Sequence, residues 1–153
     1  MGKDITNPTI TTHELISSID YALPCIEIVG SRVQNWNIKI TDTIADNASA
    51  SHYVLGHRPT KLSNFDMVKC KMKMTKNGAI SSEGSGAGCL GSPLNATIWL
   101  AKTMIKNGTP LRAGDVILTG ALGPMVSGEP GDNFETEIEG LGSVSVSFGK
   151  KDI

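Results

Sequence analysis

The sequence predicts an α+β domain, a roll of mainly antiparallel or mixed β-sheet with one long helix. Three observations carry that expectation. Seventeen glycines and seven prolines interrupt the 153 residues so often that helices must be few. Several segments alternate apolar and polar side chains at the period of a strand, and one stretch alone, Pro93 to Asn107, sustains a helical period. No repeat of about 20–50 residues and no low-complexity linker divides the chain. Residues 1–153 therefore read as a single domain, with 39% apolar residues to fill its core.

In chain order, Thr11-Thr-His-Glu14 is a capping box that opens a helix running to about Tyr21, with Leu15, Ile16 and Ile19 on one face and Pro24 beyond its end. The apolar run that closes at Gly30 predicts a strand. Ile38 to Thr43 alternates like a second strand, and Tyr53 to Leu55 like a short third before the turn Gly56-His-Arg-Pro59. Met67 to Thr75 alternates again. Asn77-Gly78 then closes a hairpin through a type I′ turn, since both residues accept positive φ, and the chain runs back from Ala79. The long helix sets Leu94, Ile98, Ala101 and Ile105 at core spacing, packs Trp99 and ends at Gly108. Leu111 to Asp115 turns the chain into a strand from Val116 to Thr119, and Phe134 to Ile138 with Ser143 to Phe148 form a closing antiparallel pair.

Composition removes several classes of function. A formal charge of −1 and 5% aromatic residues leave no basic stripe with stacking rings, which excludes a nucleic-acid partner. No apolar run approaches the roughly 20 residues of a spanning helix, and Met1 to Asn7 lacks the apolar core of a signal peptide. The expected address is the cytoplasm, with no membrane partner. Cys25, Cys70 and Cys89 are odd in number and lack C-x-x-C spacing, so they read as reduced thiols rather than a disulfide framework or a zinc knuckle.

One carboxylate stands out. Glu27 lies in the otherwise apolar run Tyr21 to Gly30, and a carboxylate buried there is costly unless a cation compensates it. Period-two alternation puts Cys25, Glu27 and Val29 on one face, where the apolar neighbours favour burial; the alternative is the solvated face of an edge strand. Glu27 is therefore the candidate metal ligand, although a hard cation needs several oxygen donors. Asp42 to Ser49 forms a second cluster of small polar side chains suited to a pocket wall.

Other motifs read blandly. Gly86-Ala-Gly88-Cys-Leu-Gly91 matches the dinucleotide fingerprint, but a hairpin rather than a parallel strand precedes it, so it reads as a tight connection. No histidine can be assigned beside Cys89, which therefore reads as a small buried residue rather than a nucleophile. Asp115 and Asp132 read as turn residues.

The segments Ala22-Leu-Pro-Cys-Ile-Glu27-Ile-Val-Gly-Ser-Arg32, Trp36, Asp42 to Ser49, Cys89 to Asn95 and Leu111 to Val126, taken in that order, form a pattern. The chain resembles the hydratase/decarboxylase branch of the fumarylacetoacetate hydrolase superfamily from about Gly2 to Phe148. The resemblance implies that branch's C-terminal catalytic-domain fold, truncated, and homo-oligomeric assembly. It also implies a Mg²⁺ or Mn²⁺ cofactor held by a Glu-x-Glu pair and a third glutamate. Glu27 matches the third; the pair belongs to a portion preceding the position of Met1 and is not in this sequence.

The implied reaction is addition of water to a small 2-hydroxydienoate, the enol of a 2-oxo acid, giving a 4-hydroxy-2-oxoalkanoate in the degradation of aromatic compounds. The sister reaction is decarboxylation of the 4-oxalocrotonate type. By resemblance, Asp46 and Ser49 take catalytic roles beside substrate or metal-bound water. Asn47 and the loop Thr119-Gly120-Ala121-Leu122 bind substrate. The absent ligand pair leaves two expectations: a lyase module completed by another polypeptide, or a fold remnant without catalysis of its own.

Overall fold

Among the described residues, two antiparallel sheets and three α-helices carry the fold, in agreement with the α+β expectation. The computed structural model describes residues 1–150. Helix α1 (Thr12–Ser18) begins as its sequence dictates: the Glu14 amide donates to Thr11 Oγ1 at 3.3 Å and the Thr11 amide donates to Glu14 Oε2 at 2.8 Å. Leu15 is wholly buried against Ile5, Ile10, Ala101 and Leu111, whereas Ile16 remains 42% exposed. Ala101 belongs to the long helix α3 (Pro93–Lys106), which Ser92 caps and Gly108 follows at φ +77°.

The larger sheet has the order β4-β3-β5-β6, formed by β3 (Lys71–Lys76), β4 (Ala79–Ser85), β5 (Asn133–Ile138) and β6 (Gly142–Ser147). The β3–β4 turn is the expected one, with Asn77 at φ 52° and Gly78 at φ 84°. The smaller sheet is only β1 (Cys25–Val29) against β2 (Ala50–Leu55), so the third strand expected at Tyr53 to Leu55 starts earlier and is longer. Ile26 of β1 packs on Phe134 and Val144, which seats the small sheet on the large one.

Four expectations fail, each for a local reason. Ile38 to Thr43 is not a strand; helix α2 (Ile40–Ala45) forms there because the Asp42 carboxylate accepts from the Lys39 amide at 2.8 Å and caps the first turn. Residues 67–70 turn rather than extend, since Asp66 Oδ1 accepts from the amides of Val68 and Lys69, each at 3.0 Å. Val116 to Thr119 has no ladder partner among the described residues and forms no strand. Trp99 is 64% exposed, because the face of α3 that enters the core is centred on Ala101.

Asp115 and the cysteines follow their sequence reading. Asp115 closes its own turn by accepting from the Arg112 amide at 2.7 Å, and the three cysteines are free thiols. Among the described residues no helix is long and apolar enough to cross a membrane.

Asp132 is also a turn residue, accepting from the Glu129 amide at 2.8 Å, but it does more. Its carboxylate binds Lys76 Nζ at 2.8 Å and Asn77 Nδ2 at 2.8 Å, fastening the hairpin end of β3 to the loop before β5. Lys76, with Asn77 and the Glu129 amide, lowers the Asp132 pKa to about 2. A carboxyl with a depressed folded pKa stabilises the fold above its unfolded value near 3.8, and that contribution disappears as the pH falls through about 2. Asp132→Asn is accordingly expected to melt below the wild type at pH 7, with the gap in Tm closing between pH 4 and pH 2; a constant gap across that range would refute the assignment.

Candidate active-site groove

A groove of about 1050 Å³ opens between β1, residues 113–128 and one face of the large sheet. Phe134, Thr136 and Ile138, the alternate buried residues of β5, all line it. So do Glu27 and the whole loop Thr119, Gly120, Ala121 and Leu122. The fold therefore brings the candidate metal ligand and the candidate substrate loop to one cavity, from positions about ninety residues apart in sequence.

The loop is held from behind. The Ser85 amide donates to the Leu122 carbonyl at 3.1 Å, and Cys89 Sγ donates to the Thr119 carbonyl at 2.7 Å. Gly84 lies so close that a Cβ there would overlap the Leu122 carbonyl oxygen. With those carbonyls engaged, the N–H groups of Gly120, Ala121 and Leu122 make no protein hydrogen bond among the described residues. Cys89 is thus a buried anchor, as its sequence context suggests, and the glycines around it serve close packing: a Cβ on Gly86 would meet the Met67 carbonyl.

Glu27 departs from expectation. It lines the groove but is exposed there, while its neighbour Ile26 on the opposite face is buried. A hydrated carboxylate needs no compensating cation, so the burial argument for a metal does not apply here. Nor do the residues present make a cation site. Among the described residues no three histidine, cysteine, aspartate or glutamate side chains come together, and one carboxylate is far short of the donor set a hard divalent ion requires.

Asp46, Asn47 and Ser49 lie at the end of β1 and do not line the groove. Asp46 accepts from the Arg32 amide at 3.0 Å, faces the Arg32 guanidinium at 3.3 Å, and accepts from Ser49 Oγ at 3.3 Å. The Arg32 amide, with the guanidinium and Ser49 hydroxyl behind it, lowers the Asp46 pKa. Asn47, Ala48 and Ser49 have φ of 50°, 57° and 57°, a left-handed turn without glycine, which costs on the order of 1–2 kcal/mol per residue. The Gly30 amide donates to the Ser49 carbonyl at 2.8 Å, so this strained turn is tied directly to the strand that carries Glu27. Sequence reading missed Arg32 as the partner of Asp46, since nothing in a fourteen-residue separation signals the contact. It also missed Thr136, whose strand alternation was visible but whose lack of a hydrogen-bond partner was not.

Comparison with known proteins places this architecture. The profile of the fumarylacetoacetate (FAA) hydrolase C-terminal family matches residues 1–148. The chain belongs to that family. Among curated relatives it is 54% identical to 2-keto-4-pentenoate hydratase 1 of Dechloromonas aromatica over 97% of its own length and 56% of that protein. It is 52% identical to the TodF product hydratase of Pseudomonas putida over 98% of its length and 56% of that protein. Among solved structures, 4-oxalocrotonate decarboxylase from Pseudomonas putida G7, complexed with magnesium and adipate, superposes with a TM-score of 0.90 at 34% identity, over 96% of this chain and 56% of that one. The chain spans about half the length of the curated relatives it matches.

The contact behind the loop can be tested directly. Gly84→Ala is expected to destabilise the fold by about 1–3 kcal/mol in urea denaturation, as overpacking does, and to expose the Ser85 amide to hydrogen exchange. An unchanged midpoint would show that the loop is not held there.

Proposed function

We propose that the chain is the C-terminal catalytic-domain portion of a lyase that adds water to 2-hydroxypenta-2,4-dienoate, the enol of 2-keto-4-pentenoate. The product is 4-hydroxy-2-oxopentanoate, and the setting is the catabolism of aromatic compounds in the cytoplasm. The observation that carries this reading is the 54% identity to a 2-keto-4-pentenoate hydratase along nearly the whole chain. The groove supports it, because it joins Glu27 to a loop whose free amides suit an anionic substrate.

In this reading the amides of Gly120, Ala121 and Leu122 bind the substrate carboxylate, with Thr119 anchoring the loop through its carbonyl. Glu27 is the one carboxylate the chain contributes toward a Mg²⁺ or Mn²⁺ site. The resemblance gives Asp46 and Ser49 catalytic roles and Asn47 a substrate contact, which from their place outside the groove lining they would exert through the end of β1. Lacking the remaining donors, the chain by itself is catalytically incomplete. Homo-oligomers fit its open strand edges and exposed apolar side chains such as Ile40, Ile44 and Met125.

The second reading is a decarboxylase of the 4-oxalocrotonate type, favoured by the TM-score of 0.90. The higher identity to the hydratases favours the first reading.

The purified chain with Mg²⁺ or Mn²⁺ is expected to leave 2-hydroxypenta-2,4-dienoate unconsumed, as followed by its ultraviolet absorbance. Turnover at ordinary enzyme rates, on the order of 1–10³ s⁻¹, would overturn the incompleteness. Supplied with the rest of the enzyme from a relative, it is expected to consume the dienoate; release of carbon dioxide from 4-oxalocrotonate instead would select the decarboxylase.

A further inference from the structure

Asparagine is followed by glycine twice in the chain, at Asn77-Gly78 and at Asn107-Gly108, each time after a lysine. The dipeptide carries its own chemistry. With no Cβ on the glycine, its backbone nitrogen can approach the preceding side-chain amide and displace ammonia from it. The surroundings of the two sites differ. At Asn107 the carboxamide makes no hydrogen bond among the described residues, and it is the Gly108 amide that is engaged, donating to the Ile105 carbonyl at 3.0 Å. At Asn77 both ends of the carboxamide are pinned: Nδ2 donates to Asp132 Oδ1 at 2.8 Å, and Oδ1 accepts from the Asn133 amide at 2.9 Å. The Gly78 amide makes no protein hydrogen bond among the described residues, and both Asn77 and Gly78 are exposed to water. Here the attacking nitrogen is free and only the side chain is restrained.

We propose that Asn77 is a latent deamidation site and that the Asp132 clamp is what keeps it closed. Ring closure joins Gly78 N to Asn77 Cγ, passes the proton of that nitrogen to the departing Nδ2, and breaks the Cγ–Nδ2 bond. Ammonia leaves and a five-membered succinimide remains. Water then opens the ring at either carbonyl, giving aspartate at position 77 or an isoaspartyl linkage with one extra carbon in the main chain. Water is the only reagent consumed, and no oxidation state changes. The carboxamide cannot turn toward Gly78 N without leaving Asp132 and Asn133, so the clamp and the reaction exclude each other. The product carries a carboxylate where Nδ2 was, facing Asp132 across a hydrogen-bond distance at which like charges repel. An isoaspartyl residue also breaks the turn that Asn77 and Gly78 make at φ 52° and 84°. Either product loosens the hairpin end of β3, and because the ammonia is lost the change runs one way. None of this rests on the hydratase reading.

The test incubates the full chain in mildly alkaline buffer and follows each Asn-Gly site by peptide mapping, reading the mass gained when an amide becomes an acid. In the native chain Asn77 is expected to convert more slowly than in the same chain unfolded in guanidinium chloride, by about tenfold or more, the factor that one hydrogen bond to a charged group supplies. Asp132→Ser keeps a side-chain oxygen for the Glu129 amide, and so the turn, but no longer reaches Asn77. It should speed native conversion at Asn77 by about tenfold and leave the rate at Asn107, the internal reference, unchanged. Asn77→Asp, which stands for the product, should lower the melting temperature at pH 7 by about 2–4 °C, as the loss of one such contact does in a chain of this size. Equal rates at Asn77 in the native and unfolded chain would overturn the proposal, and that comparison decides even where Asp132→Ser does not fold. A folded Asp132→Ser chain that is no faster at Asn77, or that is faster at Asn77 and Asn107 alike, would overturn it too. An unchanged melting temperature for Asn77→Asp would show that the clamp survives the conversion and would remove the one-way opening.

Discussion

Every peptide group taken out of water has to find a partner, and β3, like β5, meets this demand on both of its edges. Paired on one side with β4 and on the other with β5, it organises the four-stranded sheet. The sheet in turn gives Ile26, Phe134 and Val144 a common core, on which the small sheet rests. The hairpin turn and the Asp132 clamp secure one end of that central pairing. Among the described residues, pairing stops at Val116 to Leu118 and at the free edge of β1.

The same contrast governs the site. The loop from Thr119 to Leu122 is fixed by contacts on its outer side, to Ser85, Cys89 and the backbone beside Gly84, which leaves its amides without protein partners. At the end of β1 the strained left-handed turn of Asn47 to Ser49 is held by Asp46, Arg32 and Gly30. Backbone kept in a costly conformation by surrounding hydrogen bonds is typical of positions that orient something else. Here those bonds tie the turn to the end of β1.

How much of this is legible in the residues depends on how local the cause is. The capping box at Thr11 and Glu14, the Asn77-Gly78 turn and the helix ending at Gly108 are readable because neighbours in sequence fix them. Ile38 to Thr43 misleads because its β-branched residues alternate like a strand, while the deciding contact is one Asp42 oxygen on the Lys39 amide. Apolar neighbours imply burial of Glu27, but burial depends on what lies across the strand, and here that is an open groove. The grouping of Glu27 with Thr119 to Leu122 enters through family resemblance, since spacing of that order carries no information about proximity. The Arg32–Asp46 pair and the solitary hydroxyl of Thr136 are invisible for the same reason.

The chain has two indole side chains, and neither is in the core: Trp36 is 47% exposed and Trp99 64% exposed. Intrinsic fluorescence is thus a poor gauge of unfolding for this molecule, because both emitters already see solvent in the native state. Trp36, however, stands on the groove lining, while Trp99 lies on the outer face of α3. With Trp99 replaced by phenylalanine, Trp36 is the one indole left, and a blue shift of its emission registers filling of the groove without any added label.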